Sequence, residues 1–84
     1  MYSKGQIVYS KCGRDKGRTF IVIDFDEEFI YLADGDLRKL EKPKKKKLKH
    51  VQIVNKVDLG IKEKLEKGYI LDADLRKAIK AFNL

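Results

Sequence analysis

Two apolar runs, "TFIVIDF" (19–25) and "FIYLA" (29–33), are separated in the chain only by "DEE" (26–28). This closeness constrains the fold more than any other feature. Both runs are rich in β-branched and aromatic residues, which suit a pleated, buried surface. A parallel neighbour needs a crossover of about a dozen residues or more, so the pair is expected as an antiparallel hairpin. Side chains alternate along a strand. In the first run Phe20 and Val22 therefore point one way, and Thr19, Ile21, Ile23 and Phe25 the other.

"QIVYSK" (6–11) reads as an earlier strand. "DGD" (34–36) is a turn, with Gly35 free to take positive φ and the aspartates able to bond nearby backbone. "LRKLEKPKKKK" (37–47) is a basic stretch that Pro43 breaks and denies a central-strand role. "LKHVQIV" (48–54) is a further strand of imperfect alternation. Beyond residue 55 the character becomes helical. Asp58 can cap a short helix that carries Ile61 and Leu65, supported by the pairs Lys62/Glu66 and Glu63/Lys67 and stopped by Gly68. Asp72 is expected to cap a second helix, 73–82, with the apolar stripe Leu75, Ala78, Ile79 and Phe82. Strands come first and helices last, with no βαβ alternation. The expected architecture is mainly β: a small barrel over 1–55 with a helical tail, 56–84, packed on it as one domain.

Among 84 residues there are 20 Lys and Arg against 13 Asp and Glu, a formal charge of +7. Such a balance favours polyanionic partners, nucleic acid before an anionic membrane surface. A hydrophobic share of 43% is enough to fold. Cys12 is the only cysteine, so no internal disulfide can form and a reducing compartment is expected. "MYSKGQIVYSK" lacks the features of a secretory signal, and no apolar stretch approaches the length of a membrane span. These features together predict a cytoplasmic protein.

The loop "KCGRDKGR" (11–18) joins the first two strands. Gly13 and Gly17 allow a tight turn with positive φ. Held this way, Lys11, Arg14, Lys16 and Arg18 project from one end of the barrel, and Asp15 can orient a neighbouring arginine. Several cations in fixed positions make a phosphate-contacting surface, because each neutralised phosphate releases condensed counterions. "KPKKKKLKH" (42–50) adds Lys44, Lys45, Lys46, Lys47 and Lys49, which contribute affinity rather than register.

"KGQIVYSKCGRDKGRTFIVID" resembles a KOW motif: a strand, a basic loop containing glycine, and a second apolar strand. Over residues 4–54 the chain is similar to the fourteen-e family of large-subunit ribosomal proteins and their short bacterial relatives. The matching pieces, in order, are "GQIVYSKCGRDKGR", "FIVID", "DGDLRK" and "KHV". The resemblance implies an SH3-like five-stranded barrel of KOW type that binds ribosomal RNA through its loops. It also implies that Gly17 is the signature glycine, Arg14 and Arg18 the loop arginines, and Arg38 and Lys39 the basic pair after the turn. Residues 55–84 match no element of the family.

Other motifs have plainer readings. "NKVD" (55–58) copies the guanine-recognition tetrapeptide of GTPases, but the chain has no GxxxxGK[ST] phosphate loop, and Asp58 serves as a helix cap. Cys12 and His50, one of each, are too few for a metal site and form no inferable nucleophile and base. Phe29 and Tyr31 are expected to pack, whereas Tyr2 and Tyr9 stay open between packing and stacking on bases. The reading is an RNA-binding protein, contacting ribosomal RNA first and ribosomal proteins second, with no catalysis, cofactor or metal. The alternative is a protein-interaction module of the translation or transcription machinery, which an exposed stripe on the second helix would favour.

Overall fold

The computed structural model describes residues 2–84. Five strands, β1 (Gln6–Ser10), β2 (Thr19–Phe25), β3 (Phe29–Ala33), β4 (Lys44–Lys47) and β5 (Val51–Val57), precede two helices, α1 (Leu59–Lys67) and α2 (Asp72–Asn83). All five strands form one antiparallel sheet in the order β4-β3-β2-β1-β5. The expected β2–β3 hairpin is present, with Val22 opposite Leu32 and Phe25 opposite Ile30.

Two segments differ from expectation. "KKKK", read from the sequence only as a basic stretch, is strand β4, paired with β3 from Phe29↔Lys47 to Leu32↔Lys44. It occupies an edge, and Pro43 immediately before it fits that position. Leu48–His50 form a 3₁₀ turn instead of the start of a strand, and β5 runs on to Val57. A boundary at residue 55 therefore cuts through a strand.

The 3₁₀ turn joins β4 and β5, which lie at opposite edges of the sheet. A flat sheet of five strands is about 19 Å across from edge to edge at the usual strand spacing. The chain from Lys47 to Val51 can span at most about 14 Å when fully extended, and a 3₁₀ turn is shorter still. The sheet must curl to let the connection reach. β4 and β5 do not pair with each other, so the curl stops short of a closed barrel.

Curling buries one face of the sheet on itself. Val8, Phe20, Val22, Ile30, Leu32 and Val51 form that interior, with Tyr2 and Leu48 packed against it. The opposite face, Ile7, Ile21 and Ala33, is covered by Ile61 of α1 and Leu75 of α2, flanked by Val54, Leu65, Ala78, Ile79 and Phe82. β2 is nearly continuous in apolar residues because both of its faces are buried. Phe20 and Val22 do face opposite to Ile21 and Ile23. Past Val22 a bulge shifts the pairing with β3, and Asp24 and Phe25 come out to solvent.

Asp58 caps α1 by accepting from the Ile61 N–H at 3.0 Å, and the helix stops at Gly68. At α2 the expected cap moves. Leu71 holds the capping position, its N–H donating to Asp74 Oδ2 at 3.0 Å, while Asp72 is the first helical residue. Asp72 Oδ1 accepts instead from the Leu40 N–H at 2.8 Å, which pins the segment after β3 to the helix. Arg76 adds a bond from Nη1 to the Gly35 carbonyl at 2.6 Å.

Gly35 is the tightest point of this contact. Its φ is +78°, and a Cβ there would lie 2.2 Å from the Asp72 carbonyl oxygen. Gly13 has a similar φ of +83° but only open space around it. In urea denaturation, Gly13→Ala should cost about 1–2 kcal/mol from backbone strain alone. Gly35→Ala should cost clearly more, because α2 must also move. Equal losses would show that the close approach of the turn to α2 contributes nothing to stability.

Candidate nucleic-acid interface

The β1–β2 loop is closed at its base by two bonds, Ser10 N–H to the Arg18 carbonyl at 3.1 Å and Gly17 N–H to the Ser10 carbonyl at 2.8 Å. Within it, Lys16 N–H donates to the Gly13 carbonyl at 3.2 Å and Arg18 N–H to the Asp15 carbonyl at 2.8 Å. Gly13 and Gly17 both take positive φ, as expected, and neither is packed against anything. Their role is conformational: they let a short loop reverse twice. Gly17 itself offers only its backbone to a ligand.

Lys11, Arg14 and Lys16 project from this loop, exposed and without a carboxylate partner among the described residues. The Lys11 N–H donates to the His50 carbonyl at 2.8 Å, which sets the 3₁₀ turn carrying the exposed Lys49 beside the loop. Arg38 lies close enough to help lower the pKa of Asp15, and Lys39 next to it is exposed. The curled sheet thus sets Lys49 beside Lys11, Arg14 and Lys16 and brings Arg38 within charge range of the same loop, with the exposed Lys39 following it in the chain.

The remaining cations are placed differently. Arg18 is held by two carboxylates, its Nε donating to Asp34 Oδ2 at 2.7 Å and its Nη2 lying 3.4 Å from Asp36. Asp34 is 4% exposed, so Arg18 serves the fold before it serves any phosphate. Asp15 pairs with Lys44 and orients no arginine. Lys46 is buried, with its ammonium bonded to Ser10 Oγ and, at 2.8 Å, to the Cys12 carbonyl. Lys45 and Lys47 stay exposed, and the Lys45 ammonium sits 4.1 Å above the centre of the Phe29 ring. Alternation along β4 explains the split: Lys44 and Lys46 reach across the curl to the loop, while Lys45 and Lys47 face solvent.

The aromatic side chains are mostly spent on packing. Tyr9 meets Phe82 with ring centroids 6.3 Å apart, and Tyr2 packs on the interior and donates to the Leu48 carbonyl at 3.3 Å. Tyr69 remains exposed. No group of three or more metal-ligating side chains occurs among the described residues. In "NKVD", Asp58 is occupied as the cap of α1.

A groove of about 480 Å³ opens where the end of the loop, the 34–36 turn and α2 meet. Arg18 and Asp36 line one side, Arg76, Lys80 and Asn83 the other, and Ile79 contributes apolar surface. In the sequence Arg76 carries no mark and Lys80 reads only as a cation suited to the helix dipole, because both are distant from the basic loop. Their spacing of one helical turn was the available signal.

Burial favours the neutral acid at Asp34, but the N–H groups of Arg38 and Asp36 and the Arg18 guanidinium outweigh it and hold the carboxyl below its usual range. The Lys44 ammonium, bonded to Asp15, does the same there against some desolvation, helped by the charges of Lys46 and Arg38. A lowered folded pKa means that the stabilisation is complete above the unfolded carboxylate value, about 4, and is lost as pH falls through the folded value. Asp34→Asn should lower stability at pH 7 by about 2 kcal/mol or more and flatten the loss of stability below pH 4, as read by circular dichroism across a pH series. An acid limb unchanged in the variant would remove Asp34 as its source. Lys46→Ala should cost about 1–3 kcal/mol by leaving buried acceptors unpaired, whereas Lys47→Ala should stay within about 0.5 kcal/mol. Thermal unfolding compares the two, and equal effects would contradict the alternation. No protein-family model matches this chain, and no curated protein matches it.

Proposed function

We propose that this protein binds structured RNA, ribosomal RNA foremost, through phosphate contacts at the β1–β2 loop, with no catalytic step. The observation that carries the proposal is the trio Lys11, Arg14 and Lys16: three exposed cations free of carboxylates on a loop closed by its own backbone bonds. Arg38, Lys39 and Lys49 extend this surface, and Lys45 and Lys47 add charge on the outer side of β4. Phosphate contacts of this kind set affinity and position, while discrimination comes from RNA shape, because duplex RNA hides its base edges in a deep, narrow groove.

The curl of the sheet and the 3₁₀ turn between its edge strands support reading it as a partly open, SH3-like barrel of KOW type. The KOW-like pieces over residues 4–54 point the same way. Ribosomal proteins and a cytoplasmic location belong to the same proposal. An exposed stripe on α2 would favour the rival reading, a protein-interaction module, and a packed one weakens it. Leu75 is fully buried and Ala78, Ile79 and Phe82 pack towards the sheet, so that surface is already used.

The proposal is tested by measuring affinity for a structured ribosomal RNA fragment over a salt series. The wild type should give a log–log slope of about −3 to −5. Arg14→Ala/Lys16→Ala should bind more weakly, with a slope shallower by about 1.5. These two positions are preferable to Arg18, whose loss would disturb Asp34. A double variant that matches the wild type at every salt concentration would remove the loop from the interface.

A further inference from the structure

We infer that the groove between the basic loop and α2 is a pocket for a single unpaired nucleotide of the bound RNA. This inference rests on the RNA-binding proposal and adds a second, base-contacting element to it.

The groove begins where the phosphate-contacting loop ends, since Gly17 and Arg18 line it. A strand of RNA held at Arg14 and Lys16 therefore passes its mouth. At about 480 Å³ it falls in the range of small-ligand sites. It is far too small for a duplex and suits one extruded residue. Its charges are mixed: Arg18, Arg76 and Lys80 against Asp34 and Asp36. One cation is in excess, which matches the single charge of a phosphodiester.

Arg18 has the geometry of a stacking platform. Its donors lie in the plane of the guanidinium, and Asp34 Oδ2 engages that edge through both Nε and Nη2 at 2.7 Å and holds the plane. The side chain is still 35% exposed and borders the groove, and with its donor edge held by Asp34 the flat face is the part left to offer a ligand. Unpaired bases in RNA complexes stack on such arginine planes. Asp36 is 68% exposed and makes only a long contact with Arg18, which leaves its carboxylate free to accept from a base edge. Guanine presents two adjacent donors, N1–H and N2–H₂, to such a group. On the opposite side Lys80 is exposed and has no carboxylate partner among the described residues, so it can hold the phosphate. An already unpaired nucleotide enters at little cost, because no base pair need be broken.

The test uses the full chain and two RNA hairpins, one with a perfect stem and one carrying a single bulged guanosine in the same stem, measured at fixed salt. The bulged hairpin should bind about tenfold more tightly, towards the low end of what one stacked base contributes. Asp36→Ala and Lys80→Glu should each bring that ratio towards one; circular dichroism establishes that both variants fold. A ratio of one in the wild type overturns the nucleotide pocket and leaves phosphate binding standing. A ratio that neither substitution changes also overturns it. If neither hairpin binds, the RNA-binding proposal falls, and the pocket with it.

Discussion

The fold depends on a chain segment that is too short for a flat sheet. Only Leu48, Lys49 and His50 separate two strands that occupy opposite edges. This forces the curl, and the curl in turn creates the interior around Phe20, Val22 and Leu32. It also brings the inward lysines of β4 to the base of the β1–β2 loop, where Lys46 reaches Ser10 and the Cys12 carbonyl and Lys44 reaches Asp15. Side chains thus tie the β4 edge across the curl to the end of β1 and to the loop that follows it. A buried ammonium is costly to desolvate unless its donors are satisfied, and here two oxygens receive it.

The same arrangement divides the molecule's positive charge into two kinds. Arg18, Lys44 and Lys46 are consumed in holding the loop and the 34–36 turn in place. Lys11, Arg14 and Lys16 are left outside as the loop's free charge. Internal cations steady the element that presents the external ones, so a count of basic residues overstates the available surface while understating its rigidity. Preorganised charge loses less entropy on binding than mobile side chains do.

Much of this was legible in the chain. The β2–β3 hairpin followed from two apolar runs with no room for a crossover. The positive φ of Gly13, Gly17 and Gly35 and the cap at Asp58 followed from local chemistry. What escaped was set by distant partners. Four consecutive lysines carry no apolar alternation, so nothing local marks them as a strand; β4 exists because β3 offers it an edge and the loop offers oxygens to Lys46. Asp72 looked like a cap, but Leu40, far away in sequence, competes for its carboxylate. Arg18 looked like its neighbour Arg14 until Asp34 and Asp36 came beside it. The groove depends on α2 crossing the 34–36 turn, a contact that no short motif encodes.

The placement of α2 bears on how the molecule is made. Ile7, Ile21 and Ala33, from the first three strands, are roofed by Leu75, which is translated after every strand. During synthesis that apolar face must wait uncovered while the intervening residues emerge. Exposed apolar faces of this kind are where nascent chains stick to one another. A net charge of +7 makes partly made copies repel one another during that interval.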